Sequence, residues 1–321
     1  EAMEERALGN SGLFVSQLSL GTMTWGHDTD VHEARDQFNI YYEHGGRFID
    51  TADVYCDGIS EEFLGDFLRD KTDVVIATKA VAVPEPRKRN ASRKHILDAL
   101  DASLRRLRRN HVDVWYMHAW DPRTPIEETI SACEQAVESG KVRYIGVSNY
   151  AGWQLAQFAS LMNSKIPVVA SQMEYSLLER GIEREVVPAA TALNIGITAW
   201  SPLGRGVLTG KYRHSTPPDS RGGSQHFASF VSKYLDTESR RIVEALATAS
   251  DGLGLSMIAT SLSWLLAQRQ VASVIVGART AAQLRGTLNS ELVQLPDAIM
   301  QALNDVSKPY RGYPEYGWNQ E

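Results

Sequence analysis

Cysteine is scarce: Cys56 and Cys133 are the only two in 321 residues. Two thiols build neither a disulfide framework nor a thiolate metal cluster, and they read as free thiols of a reducing compartment. The sequence has no uninterrupted apolar run long enough to cross a bilayer. Its start also lacks the basic-then-apolar pattern of a secretory signal. The expected location is the cytoplasm, with no membrane partner. A Gly-x-Gly-x-x-Gly turn after a first strand is missing, as is a phosphate loop ending in Gly-Lys-Ser/Thr, which counts against a Rossmann-type domain. His-x-His and His-Glu-x-x-His spacings are missing too, so no metal is expected and a metal-dependent barrel hydrolase is disfavoured. Charge is not strongly one-sided: a net −6 gives no bulk attraction to nucleic acid or anionic lipid. An anionic ligand therefore needs a local basic site.

What is present is enough apolar material, 43% of residues, to fill one large core. The opening predicts a small hairpin, with residues 6–8 and 13–16 flanking the turn-rich Gly9-Asn10-Ser11-Gly12. Short apolar runs then alternate with amphipathic stretches. Strands are expected at 18–21, 47–50, 74–78, 112–118, 142–147, 168–172, 196–200 and 273–276. Helices are expected at 32–44, 61–69, 93–108, 126–139, 153–162, 184–193, 256–268 and 281–288. Caps such as Ser92 and stops such as Gly140 mark several ends. Repeated strand–helix units imply a parallel sheet, and eight of them favour a closed (β/α)8 TIM barrel over an open doubly wound sheet. The expectation is an α/β chain forming a single barrel domain over 1–321, with an N-terminal β-hairpin. Residues 204–231, rich in Gly, Pro and Ser, read as an extended functional loop. The basic clusters Arg105, Arg106, Arg108, Arg109 and Arg87, Lys88, Arg89 read as solvated faces. No nucleic-acid module accompanies them.

In a barrel, chemistry gathers where the strands end at the C-terminal face. Asp50 closes the second strand, Tyr55 follows in its loop, Lys79 ends the third strand and His118 the fourth. A tyrosine is a poor acid at neutral pH. An ammonium beside it stabilises the phenolate, and a carboxylate can hold that ammonium in place. Tyr55, Lys79 and Asp50 thus form a proton donor, with His118 free to orient a carbonyl or share in the transfer.

The run Asp50-Thr51-Ala52-Asp53-Val54-Tyr55, with Lys79 and His118, resembles the catalytic tetrad of the aldo-keto reductases. The likeness extends through Gly21-Thr22-Met23, Gly146-Val147-Ser148-Asn149, Gln172-Met173-Glu174-Tyr175-Ser176 and the run from Trp200 to Tyr212. It covers nearly the whole chain, in order. The long segment after the seventh strand is similar to the branch that includes potassium-channel β-subunits and bacterial reductases. The resemblance implies a nicotinamide cofactor. Ser148, Asn149 and Gln172 would bond its carboxamide, and Trp200 would stack on the nicotinamide ring. Ser201, Leu203 and Gly206 would line the pyrophosphate, with Lys211 and Arg221 supplying charge. Arg279 and Gln283 would sit near the adenosine phosphate, and Thr22, Met23 and Gly277 would be further cofactor-binding positions. Arg279 tilts the expectation to NADPH (NADP+), with NADH possible.

One departure stands out. Where the family commonly has an acidic residue and an asparagine near the adenine, this chain has Gly286 and Thr287. Trp25 and Trp120 follow strand ends and are expected to wall the substrate pocket. Cys56, although next to Tyr55, is expected to be inert. The tail with Tyr310, Tyr313, Tyr316 and Trp318 reads as a lid or a docked end. The expected activity is reversible reduction of an aldehyde, ketone or keto-sugar. The alternative is a dinucleotide-sensing regulatory subunit with little turnover. Some channel-associated members lack a histidine at the position of His118, so its presence favours the enzyme. The oligomeric state stays open, since linear sequence displays no surface patch.

Overall fold

Runs rich in Val, Ile and Ala, apolar on both faces, suit strands covered by a helical layer outside and by side chains inside. In the computed structural model, which describes residues 2–214 and 228–318, eight such runs pair in parallel. They are β3 (Leu18–Gly21), β4 (Phe48–Asp50), β5 (Val75–Ala80), β6 (Val112–Met117), β7 (Val142–Ser148), β8 (Val168–Glu174), β9 (Gly196–Trp200) and β10 (Val271–Val276). They close into a barrel in which β10 pairs with both β9 and β3.

Before them, β1 (Glu5–Ala7) and β2 (Phe14–Ser16) form the expected antiparallel hairpin. It caps the N-terminal end of the barrel. Leu8 and Val15 join Phe48, Val114, Tyr116 and Val169 in an apolar cluster, and the Asn10 N–H donates to the Asn194 carbonyl at 2.9 Å. Gly9, at φ +57°, lies against the Val169 carbonyl so closely that a Cβ there would collide with it. With that end sealed, the opposite end is the one left to hold a ligand.

The outer layer comprises α1 (Val31–Glu43), α2 (Ile59–Phe67), α3 (Arg93–Leu107), α4 (Ile126–Glu138), α5 (Gly152–Leu161), α6 (Val186–Leu193), α7 (Ala228–Ser232), α8 (Thr237–Leu253), α9 (Met257–Leu266) and α10 (Ala281–Leu288). α11 (Asp297–Val306) and α12 (Glu315–Trp318) follow the barrel. Local chemistry sets many of the ends. Asp30, Ser92, Asp236, Ser256 and Thr280 cap helix starts with their side chains, and Arg108, Asn194 and Gly254 close helices in the left-handed region.

Three differences from the sequence expectation matter for function. β5 runs past 78 to Ala80, so Lys79 lies within the strand rather than at its end. α2 starts at Ile59, so Glu61 falls in its first turn and is fully buried. The basic end of α3 is not a purely solvated face. Arg106 reaches inward to Glu61 at 2.7 Å, and the Arg109 guanidinium donates to the Leu68 and Lys71 carbonyls. α8 and α11 lie outside the simple strand–helix alternation and were not expected.

Candidate active site

The C-terminal ends of the strands surround a cavity of about 620 Å³, a size suited to a cofactor-sized ligand. Gly21, Asp50, Ser148, Gln172, Trp200 and Val276 reach its wall from six different strands. Tyr55 and His118 enter from the segments that follow β4 and β6.

Lys79 lies at the base of this site with no solvent exposure. An ammonium has three donors, and all three are used. They go to Asp50 Oδ2 at 2.7 Å, the Thr51 carbonyl at 2.9 Å and the Tyr55 hydroxyl oxygen at 3.0 Å. Asp50 is fixed in turn, because its Oδ1 accepts from Gln172 Nε2 at 2.8 Å. Burial alone would lower the Lys79 ammonium, but the adjacent Asp50 carboxylate and Tyr55 outweigh it and hold the ammonium above its usual range. Tyr55 starts a one-turn helical segment in which Cys56 (φ 50°) and Asp57 (φ 56°) are left-handed. The Lys79 ammonium lies 4.7 Å from the centre of the Tyr55 ring.

Burial pushes the Tyr55 phenol above its ordinary value, and the Lys79 ammonium only partly opposes this. The net direction is therefore opposite to the simple expectation from charge alone. At neutral pH the phenol keeps its proton. Its oxygen accepts from Lys79, so the hydroxyl hydrogen is left to donate elsewhere. His118 differs. Burial and then the Lys79 charge lower its imidazole to about 3, so the ring is neutral at working pH and is no competing acid. Its Nδ1 is buried without a hydrogen-bond partner among the described residues. The two rings lie edge to face with centroids 6.3 Å apart.

The middle of the cavity is built by mutual anchoring. Asn149, held at φ 60°, donates from Nδ2 to the His118 carbonyl at 3.0 Å and accepts from Trp200 Nε1 at 3.1 Å. The indole plane and the His118 segment are thus tied to one side chain. Ser148 Oγ donates to the Gln172 carbonyl at 2.9 Å. Past β9 the chain turns through left-handed Ser201, Gly204, Arg205 and Gly206. A Cβ on Gly206 would lie 3.0 Å from Lys211 Cε, so the missing side chain leaves a cradle beneath a cation. Leu203 and Lys211 line this stretch, and Thr22 and Met23 face it from the loop after β3. At the far end stand Gly277, Arg279 and Gln283, with Gly286 and Thr287 beside them. The Arg279 N–H donates to Gln283 Oε1 at 3.2 Å. Open space lies where a Gly286 side chain would be. Arg221 lies outside the described residues.

The two tryptophans expected as pocket walls do not line the cavity. Trp25 is completely buried, donates from Nε1 to Gln37 Oε1 at 3.0 Å and packs edge-on against Phe67. It belongs to the layer between barrel and helices. Trp120 packs edge-on against Tyr150 and Trp153 and borders a separate small hollow with Asp121. The aromatic wall that does face the cavity comes from the long segment after β9. It is Phe230 of α7, near-parallel to Trp200 at 14° with centroids 6.5 Å apart. Arg205 holds it there, donating to the Phe230 carbonyl at 2.8 Å while paired with Glu174 at 2.9 Å. Phe230 fell inside the expected loop, and its contact with Trp200 spans too much sequence for local pattern to reveal. Cys56 is mostly buried, and burial raises its thiol, which leaves it unreactive.

The donor set fits a nicotinamide dinucleotide. A tethered indole face lies beside a proton donor, followed by a glycine cradle with a lysine and then an arginine near the start of α10. Among the described residues no group of three or more His, Cys, Asp or Glu is placed to hold a metal. The family model for the Aldo/keto reductase family matches residues 17–308. The chain is 36% identical over 324 residues to a probable voltage-gated potassium channel subunit beta of Arabidopsis thaliana, covering 96% of this chain and 98% of that protein. A protein of the same description from Oryza sativa subsp. japonica is 34% identical over 328 residues, covering 96% of this chain and all (100%) of that one. An uncharacterized oxidoreductase of Bacillus subtilis (strain 168) is 36% identical over 334 residues, covering 98% and 100% respectively. On this match along nearly its whole length, the chain belongs to the aldo/keto reductase family and is an NAD(P)H-dependent oxidoreductase.

Proposed function

We propose that this protein reduces aldehydes and ketones with NADPH, with Tyr55 as the proton donor. The observation that carries the reading is the complete use of the buried Lys79 ammonium by Asp50, Thr51 and Tyr55. That arrangement costs much desolvation and serves no surface purpose. When bound, the reduced dinucleotide supplies the hydride. The protein's own residues do the rest. A carbonyl oxygen fits between the Tyr55 hydroxyl and the neutral His118 ring, which orients it by a hydrogen bond. As negative charge develops on that oxygen, Tyr55 gives up its proton. Lys79, already positioned, stabilises the phenolate without reorganisation. Asp50 keeps Lys79 charged. Asn149 holds the Trp200 face in place, and the buried base of the site excludes water. The reverse oxidation uses the same groups, with the Tyr55 phenolate as base.

The preference for NADPH rests on Arg279 at the entrance to α10. An arginine fork suits a phosphate monoester, while at the helix start the Ala281 and Gln283 N–H groups already donate to Glu33 and Thr280. A second reading, a dinucleotide-sensing regulatory subunit, draws on the two plant relatives described as probable potassium channel subunits beta. The intact tetrad including His118 favours turnover. Titrating NADPH and NADH against intrinsic tryptophan fluorescence, then following cofactor oxidation over a panel of aldehydes, ketones and keto-sugars, separates the two. Tighter NADPH binding with turnover supports the reductase. Binding without turnover on any carbonyl supports the regulatory subunit.

A further inference from the structure

Three carboxyl groups and two cations interact electrostatically around Tyr55 and Asp53, and the tetrad accounts for only one of the carboxyls. Asp50 has Lys79. Glu61, fully buried on α2, accepts from Arg106 Nε at 2.8 Å and Nη2 at 2.7 Å and from Thr78 Oγ1 at 2.7 Å. The third is Asp53, half-buried and two residues before Tyr55. Its backbone N–H donates to the Lys79 carbonyl at 3.2 Å, which fixes it beside the strand carrying the ammonium. Yet its carboxyl pairs with neither cation. Lys79 has spent its donors, and Arg106 is engaged by Glu61. Asp53 Oδ1 is buried with no hydrogen-bond partner among the described residues.

We propose that Asp53 is a positioning residue of the proton-transfer site, whose own protonation state sets how readily Tyr55 gives up its proton. Neutral, the carboxyl leaves the phenolate stabilised by Lys79. Ionised, it adds a negative charge that opposes the phenolate, so the phenol holds its proton more firmly. The charged groups facing it are Glu61 from α2, Arg106 from α3 and Lys79 from β5. Burial and then the Glu61 carboxylate push Asp53 up to about 7, against the pull of Arg106, a hydrogen bond from the Val54 backbone N–H and the charge of Lys79. The change of state therefore falls within the working pH range. Reduction should slow as pH rises through that value, because the donor becomes weaker.

The inference rests on the reductase reading for the role it gives Tyr55, so its test begins with a readout that needs no turnover. Cofactor-free protein carrying 13C at aspartate carboxyls and tyrosine ring carbons is titrated by NMR, with Asp53→Asn and Tyr55→Phe as assignment controls. The expected result is one carboxyl titrating near pH 7 and a step in the Tyr55 ring resonance at the same pH, both absent from Asp53→Asn. In kinetics, wild-type kcat for reduction falls across that pH while Asp53→Asn keeps its acid-side rate, with KM little changed. Asp53→Glu, which retains the carboxyl, keeps the step and provides the assignment if the asparagine variant folds poorly. Titration of Asp53 with ordinary carboxylates near pH 4 overturns the proposal. So does a Tyr55 step that is missing from the wild type or that survives in Asp53→Asn. A step without any carbonyl turnover supports the coupling and removes the reductase reading instead.

Discussion

Replacing Lys79 with methionine removes the charge and keeps most of the side-chain volume. Two effects follow, and a second substitution separates them. The first is on the fold. Lys79 and Asp50 have side chains 0% and 4% exposed, so the variant buries a carboxylate whose remaining side-chain partner is Gln172. Breaking a buried pair from one side costs about 3–5 kcal/mol, which urea or thermal unfolding reads directly. The second effect is on the chemistry. Without the ammonium, nothing opposes the burial that already raises the Tyr55 phenol, and the phenolate formed on proton donation loses its counter-charge. Positioned proton transfer is worth about 10²–10⁴ in rate, so kcat for carbonyl reduction should fall at least about a hundredfold. Asp50→Asn in the same chain removes the stranded charge. The double variant should therefore regain most of the lost stability and none of the lost turnover. Turnover within about tenfold of wild type in the single variant, on this scale for acid–base catalysis, would refute the reasoning. So would a double variant no more stable than Lys79→Met.

Three further outcomes follow. Trp25→Phe strands the Gln37 Oε1 acceptor at a cost of about 1–3 kcal/mol in chemical unfolding, while KM stays unchanged for both bulky and small carbonyls. Gly206→Ala forces a side chain to φ +89° and to 3.0 Å from Lys211 Cε; it should lose about 1 kcal/mol of stability and weaken dinucleotide binding in fluorescence titration. Asp53→Asn should change how stability depends on pH. Because the folded carboxyl holds its proton up to about 7 against an ordinary 3.8, the native state binds the extra proton between those values. Wild-type stability therefore loses a contribution as pH rises through that window, and the variant does not.

Much of the barrel is legible because each strand–helix unit is announced locally. Apolar runs of three to seven residues, capping serines and aspartates, and left-handed stops carry the information within a dozen positions. α8 was equally legible in principle, with Asp236 as cap, Gly254 as stop and Ile242, Val243 and Leu246 at helical spacing. A strict strand–helix alternation, which leads from the long segment straight to α9, leaves it out. Asp50, Tyr55 and His118 line one cavity, with Lys79 buried against Asp50 and Tyr55, because consecutive strands of a barrel end side by side. Environment is harder to read. An aromatic residue after a strand end faces the cavity or the helical layer depending on one turn of backbone. Trp25 therefore packs into the helical layer, although its position after β3 suggests a pocket wall. Likewise, Lys79 charge alone implies a lowered phenol, whereas burial, invisible in sequence, reverses the sign. The Glu61–Arg106 pair joins positions 45 apart, and nothing in a basic helix end foretells it.

The most direct test is Tyr55→Phe, assayed at pH 7 with fluorescence titration of NADPH alongside turnover of the best carbonyl substrate. Removing one hydroxyl leaves the ring and its packing, so dinucleotide binding should match wild type, while kcat falls about a hundredfold or more, the range for loss of a positioned acid. Undiminished turnover in the phenylalanine variant would contradict the account, since neutral His118 offers no other acid in the site.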